Sequence, residues 1–100
     1  MARLRVSAEA RRDLDRIKSE GVQEHGPAAS KKHIEGFRRL FRLLREQPFA
    51  GQEWPELDLG VRTLSHRPHR IVYRITGDLV VIARILHQAC EVRRALRDPQ

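Results

Sequence analysis

The spacing of hydrophobic positions changes along the first half of the chain, and each spacing predicts a different element. Residues 2–6 alternate between apolar and charged, which is typical of a short strand, and Ser7 follows as the predicted N-cap of a helix. Apolar residues then recur at helical spacing over Ala8–Glu24 and again over Pro27–Glu46. Pro48 ends the second helix, because proline cannot continue the helical hydrogen bonds. The pattern predicts a strand followed by an antiparallel helical hairpin.

The second half of the chain changes to the pattern of strands. Segment 47–60 contains two prolines and two glycines without a clear period, so it is predicted to be an ordered surface loop. Three runs rich in β-branched residues follow, at Val61–Arg67, Arg70–Thr76 and Leu79–His87. Since a Gly-Asp turn signal separates the last two runs, the pattern predicts a three-stranded antiparallel meander.

One domain accounts for the whole chain. A length of 100 residues with 40% apolar content is enough for one hydrophobic core and leaves no room for a second. Segment Gln88–Leu96 is predicted to form a short C-terminal helix that leads into a polar tail. The order β-α-α-β-β-β therefore describes a single α+β domain over residues 1–100, with the two helices packed on one face of a curved sheet.

The last predicted strand is apolar on both of its faces. Strict alternation places Val80, Ile82 and Leu86 on one face. The opposite face is formed by Leu79, Val81, Ala83 and Ile85. Such a strand is central, or is covered on its second side. We expect the helical hairpin to cover one face and to leave the face with Val80, Ile82 and Leu86 open to a partner.

The charge balance indicates an anionic partner. The chain has 20 Lys and Arg residues against 13 Asp and Glu residues, which gives a formal net charge of +7. Fixed positive charge attracts nucleic acid, a nucleoprotein machine or an acidic protein segment through the same long-range field. Charge alone leaves these three classes of partner open.

Composition also argues against several kinds of site. A single cysteine, Cys90, excludes an internal disulfide framework and a cysteine-rich zinc site, and it suits a reducing compartment. The spacing of His66, His69 and His87 matches no recognised zinc motif, so neither a metal nor a cofactor is predicted. No apolar run approaches the ~20 residues of a membrane span. We expect a cytoplasmic protein that makes no membrane contact.

Several short motifs resemble those of the ParE/RelE toxin superfamily. The run Ser7–Ile17 resembles the family's opening helix, and the loop residues Pro48–Gly51 and Pro55–Leu57 resemble its connecting loop. Arg70–Ile75 and Ile82–His87 are similar to the paired closing strands of ParE-like members. The resemblance spans nearly the whole chain and is closer to the ParE branch than to the RNA-cleaving branch.

The resemblance implies the toxin of a type II toxin-antitoxin module, of the kind associated with plasmid stabilisation. ParE-like members inhibit DNA gyrase by binding it, without enzymatic activity, and are neutralised by an antitoxin whose acidic C-terminal segment folds over the toxin sheet in a hetero-oligomer. The antitoxin contacts expected here are Val80, Ile82, Arg84 and Leu86. The candidate contacts to the target are Arg11, Arg12, Arg93 and Arg94.

The alternative function is that of a RelE-like, ribosome-dependent mRNA interferase. Cleavage of RNA through its 2′-hydroxyl needs a base, an acid and a cation for the phosphate, and Arg84 and His87 are the candidates. They lie three residues apart on one strand, so alternation sends them to opposite faces unless a bulge intervenes. A third alternative is a toxin-like module retained only for binding an antitoxin.

Structural interpretations are also open for Arg84, His87, Tyr73 and Trp54. Arg84 is either a functional residue or the partner of an acidic helix residue, because an unpaired charge in an apolar strand is costly. The structural alternative for His87 is a histidine at the end of a strand whose ring is hydrogen-bonded to a backbone carbonyl. Tyr73 is predicted in the core with its hydroxyl at the sheet edge, and Trp54 is predicted to plug the end of the sheet or to contact a partner.

Overall fold

The computed structural model describes residues 1–88 and consists of two helices packed on a five-stranded sheet. The helices are α1, Ala8–His25, and α2, Pro27–Glu46, and a 3₁₀ turn follows at Pro48–Ala50. The strands are β1, Arg3–Val6; β2, Gln52–Glu53; β3, Val61–His66; β4, His69–Thr76; and β5, Leu79–His87. The predicted α+β class and the helical hairpin are confirmed. Apart from Gln88, which lies in a turn, the C-terminal helix predicted over Gln88–Leu96 lies outside the described residues.

The start of α1 is fixed to the sheet by its N-cap. The Ser7 hydroxyl accepts a hydrogen bond from the Ala10 N–H at 3.0 Å and donates one to the carbonyl of Ala83 in β5 at 2.8 Å. At the other end, Gly26 has φ 91° and separates the two helices, and Pro27 occupies the first turn of α2. Over residues 1–88 neither helix is long and apolar enough to cross a membrane.

The sheet has the order β1-β5-β4-β3-β2 and is mixed. Strands β3, β4 and β5 form the predicted antiparallel meander, whereas β1 pairs parallel with β5, from Arg3 opposite Leu79 to Val6 opposite Ile82. The helical hairpin returns the chain to the far side of the sheet before β2 and β3 begin. As a result, the first and last described strands become neighbours.

The two faces of the sheet are covered differently. The helix face is the side that packs against α1 and α2, and it forms the main core. Its buried members are Ala10, Ile17, Phe37, Leu44, Ile71, Tyr73, Val80, Ile82 and Ile85. The open face is the opposite side, where Val61, Val72 and Leu86 form a small cluster beneath Trp54 and Leu57 from the loop. The loop therefore covers only one end of the open face.

A β-bulge corrects the predicted faces of β5. Tyr73 pairs with Ile82 and Val72 pairs with Arg84, so Ala83 has no partner in β4. The extra residue reverses the alternation, which places Ile85 on the helix face with Ile82 and moves Leu86 to the open face. The prediction that Val80, Ile82 and Leu86 share an exposed face is therefore wrong.

Candidate partner-binding site

Arg84 is held by a buried carboxylate from α1. Its Nε donates to Asp13 Oδ2 at 2.8 Å and its Nη2 donates to Asp13 Oδ1 at 3.1 Å. The Ile85 N–H donates to the same Oδ2 at 2.9 Å, and Arg16 Nη2 donates to Oδ1 at 3.1 Å. Because β1 ends at Val6, its pairing with β5 stops at Ile82. The Asp13 carboxylate accepts the hydrogen bond from the Ile85 N–H that a longer neighbouring strand would accept.

The electrostatics of this cluster stabilise a charged pair. Burial acts to raise the pKa of Asp13, but the hydrogen bonds from Arg84 and the Ile85 N–H outweigh it and lower the pKa. Asp13 is 1% exposed, so its charge depends on these partners for stabilisation. Of the two interpretations left open by the sequence, the geometry matches the structural ion pair with a helix acidic residue.

Arg84 and His87 do not form a joint site. Beyond the bulge the strand is regular, with Arg84 opposite Val72 and His87 opposite His69. The Arg84 guanidinium binds Asp13, whereas the His87 ring lies edge-on to His69, with ring centroids 5.6 Å apart. The bulge at Ala83 precedes both residues, so it leaves them on opposite faces.

The predicted antitoxin contacts are not placed together on the surface. Val80 and Ile82 are fully buried beneath the helices, and Leu86 is 4% exposed beneath the loop. Contact with a partner through Val80 or Ile82 would require displacement of the helical hairpin. The physical reason is the side on which the helices pack, because α1 and α2 cover the face that was expected to be open.

The open face has a cross-strand row that alternates between arginine and valine. Arg5 lies beside Val81, which lies beside Arg74, which lies beside Val61. Arg5 is exposed, Val81 and Arg74 are partly exposed, and Arg74 pairs with Asp58 at 3.2 Å. The sequence contains a signal for this row, since Arg5 and Arg74 each alternate with apolar residues along a strand. The sequence does not show on which side of the sheet the helices pack, so it could not assign the two arginines to a face.

The predicted target contacts are only partly described. Arg11 and Arg12 are exposed on α1, while Arg93 and Arg94 lie outside the described residues. Arg11 lines a groove of about 310 Å³ between the two helices. The other residues of this groove are Leu14, Asp15, Lys18, Ile34, Phe37 and Arg38.

The two aromatic residues singled out by the sequence have structural roles. The Tyr73 hydroxyl donates to the Pro48 carbonyl at 2.7 Å and accepts from the Gly51 N–H at 2.9 Å, so it anchors the loop. Trp54 covers part of the open face, and the Arg70 guanidinium lies 4.5 Å from its ring centroid. Within residues 1–88, no three His, Cys, Asp or Glu side chains are arranged to hold a metal ion.

The fold is that of toxins from toxin-antitoxin complexes. Two solved complexes match at low sequence identity and show the fold alone: RelBE2 from Mycobacterium tuberculosis, at TM-score 0.65 and 23% identity, and YoeB-YefM from Staphylococcus aureus, at TM-score 0.59 and 16% identity. The matches cover 86% and 87% of this chain, and 96% and 97% of the respective solved chains.

Sequence similarity defines the family. The model of the ParE toxin of type II toxin-antitoxin systems, parDE, matches residues 4–91, and the chain belongs to this family. It is 30% identical to Toxin ParE1 of Caulobacter vibrioides over 92% of this chain and 95% of that protein. It is 32% identical to Toxin ParE3 of the same organism over 74% of each protein. A chromosomal ParDE system from P. aeruginosa matches at TM-score 0.76 and 28% identity, over 87% of this chain and 96% of the solved one.

Proposed function

We propose that this ParE-family toxin inhibits DNA gyrase by binding it and that a cognate antitoxin with an acidic tail neutralises the toxin. Membership of the ParE family over residues 4–91 carries the proposal, since gyrase inhibition is the known role of that family. The formal charge of +7 supports an anionic partner of either kind, nucleoprotein or acidic protein.

The interferase alternative finds no support in the arrangement of its candidate residues. Its cation would be Arg84, but that guanidinium makes two hydrogen bonds to Asp13. Its acid or base would be His87, which lies on the other face of β5. A nuclease needs these groups on one phosphate, and in residues 1–88 this pair is not arranged to reach one.

The open face is the better candidate for the antitoxin. Its accessible row of Arg5, Val81 and Arg74 alternates charge with apolar surface across β1, β5 and β4, and the row ends at Val61, which is buried beneath the loop. An antitoxin segment that alternates acidic and apolar residues would match both features at once. This assignment replaces the expected contacts at Val80 and Ile82, which are buried.

Supercoiling of relaxed plasmid by purified gyrase tests the proposal. We expect the intact protein to stop supercoiling and to accumulate cleaved DNA, while heat-denatured protein has no effect. The charge reversal of Arg11 and Arg12 to Glu should weaken inhibition if these exposed residues contact the target. Reversal of Arg39 and Arg42, also exposed, is the control with the same change in net charge.

A parallel assay with ribosomes distinguishes gyrase inhibition from the mRNA interferase alternative. Incubation of the protein with translating ribosomes should leave the mRNA intact. If gyrase is unaffected at large molar excess while mRNA is cut, the gyrase proposal is overturned and the interferase function takes its place.

A further inference from the structure

Four histidines from four different elements meet at one end of the sheet. His33 comes from α2, His66 from the end of β3, His69 from the start of β4 and His87 from the end of β5. The rings of His33 and His66 are stacked with centroids 4.3 Å apart, and those of His33 and His69 lie 5.1 Å apart. We call these four residues the histidine cluster. Sequence spacing gave no signal for it, since His33 is distant in the chain from the other three.

Two hydrogen bonds connect the cluster to α2. His66 Nε2 donates to the backbone carbonyl of His33 at 2.9 Å, and His33 Nε2 lies 3.0 Å from His69 Nδ1. Gly36 makes this contact possible, because a Cβ at that position would lie only 2.4 Å from the His66 ring. The edge of Phe37 packs on His66 with centroids 4.5 Å apart. The cluster therefore attaches α2 to the β3–β4 hairpin.

The surroundings of the cluster offer little compensation for an added positive charge. His33, His69 and His87 line a cleft of about 310 Å³ together with Glu20, Glu24 and His25 from α1. Glu20 lies 3.9 Å from Arg16, and Glu24 lies 3.7 Å from the His25 ring, so both carboxylates already have partners on α1. Arg16 itself adds a positive field at His69.

We propose that the histidine cluster is an acid-sensitive latch, which holds α2 against the β3–β4 hairpin while the rings of His33 and His69 are neutral and releases it when both are protonated. The bond between His33 and His69 needs one protonated and one unprotonated nitrogen. One added proton leaves this bond intact but places a charge among stacked rings. A second added proton turns both nitrogens into donors that face each other at 3.0 Å, and the bond is lost.

The acidities of the two rings agree with this geometry. Burial, followed by the fields of His33, His87, His66 and Arg16, lowers the pKa of His69 to about 4. Burial and the fields of His66 and His25 likewise lower the pKa of His33. A histidine with a lowered pKa contributes stability above the unfolded value of about 6.5, and this contribution is lost as the pH falls toward the folded value. The latch should therefore weaken between about pH 6.5 and about pH 4.

Urea unfolding of the intact chain at about pH 7.5 and about pH 5 tests the latch. For a histidine with a pKa of about 4 in the folded state and about 6.5 in the unfolded state, the folding equilibrium constant should fall about 30-fold between these conditions. His69→Asn keeps a polar atom near the position of Nδ1 without titrating, and should lose most of this pH dependence. His25→Gln removes an exposed histidine whose field is the weakest of the causes at His33 and is not among those at His69, so this variant should retain most of the pH dependence.

A titration of the wild-type protein keeps the test independent of any variant's ability to fold. The imidazole Cε1–H resonances followed by NMR should give His69 a pKa near 4, and the amide resonances of α2 around His33 should shift with the same titration. A pKa near 6.5 for His69, or a wild-type folding constant that is the same at the two pH values, would overturn the proposal.

Discussion

The helix face and the open face belong to the same sheet but differ in almost every physical respect. On the helix face, side chains such as Phe37 and Ile82 are fully buried in a continuous apolar core. On the open face, arginines such as Arg5 and Arg74 alternate with valines, and only one end is covered by the loop. One face therefore supplies most of the buried core of the domain, whereas the other presents exposed arginines within residues 1–88.

Truncation of the helix face should have the largest effect on stability. Phe37→Ala removes a fully buried ring and leaves a cavity, so the free energy of unfolding should fall by about 4 kcal/mol. Urea unfolding at neutral pH measures this change. Leu57→Ala, in the loop over the open face, is the matched truncation and should cost clearly less because Leu57 is only partly buried. Equal losses would contradict the division between the two faces.

Loss of the ion pair between Arg84 and Asp13, at the edge of the sheet where the two faces meet, should have the second-largest effect on stability. Arg84→Ala leaves the buried carboxylate of Asp13 without its main cation, and should lower the free energy of unfolding by about 3 kcal/mol. Arg16→Ala removes a half-exposed cation from the same carboxylate and should cost less than about 1 kcal/mol.

The same ion pair has a pH dependence of its own. Because the pKa of Asp13 is lowered in the folded state, its contribution is present above about pH 4 and is lost as the pH falls further. Adding Asp13→Asn to Arg84→Ala should recover part of the loss, since the unpaired charge is then removed. A loss of toxicity in Arg84→Ala would consequently reflect a loss of folded protein. A soluble, fully stable Arg84→Ala protein would contradict the structural role of the ion pair.

Loss of the Tyr73 hydroxyl, which anchors the loop, should have a smaller effect on stability. Tyr73→Phe removes a hydroxyl that bonds Pro48 and Gly51, which leaves the buried Gly51 N–H without this acceptor. We expect the free energy of unfolding to fall by about 2 kcal/mol. Thermal unfolding followed by circular dichroism measures it, and an unchanged midpoint would show that the loop does not depend on this hydroxyl.

Much of the fold could be predicted from the sequence because its periods are local. The helical hairpin and the three closing strands follow from the spacing of apolar residues, from Pro27 and Pro48, and from the Gly77 turn. The parallel pairing of β1 with β5 and the bulge at Ala83 could not, because both depend on contacts between residues far apart in the chain.

The candidate site was harder to predict for the same reason. The expected contacts at Val80 and Ile82 are buried because the helices pack on their side of the sheet, which the sequence does not indicate. Ala83 has no partner in β4 and reverses the faces of the residues that follow it, so Leu86 lies on the opposite face from Val80 and Ile82. Asp13 is one of several acidic residues in α1, and its local sequence does not indicate which of them is buried.

The most direct test of the open face as the antitoxin site is the affinity of the cognate antitoxin for two double variants. Arg5→Glu with Arg74→Glu reverses the open-face row, and Arg39→Glu with Arg42→Glu makes the same change in net charge on exposed residues of α2. Isothermal titration should show at least about 100-fold weaker binding for the first variant and a change within about threefold for the second. Equal binding by both variants would contradict the assignment of the antitoxin to the open face.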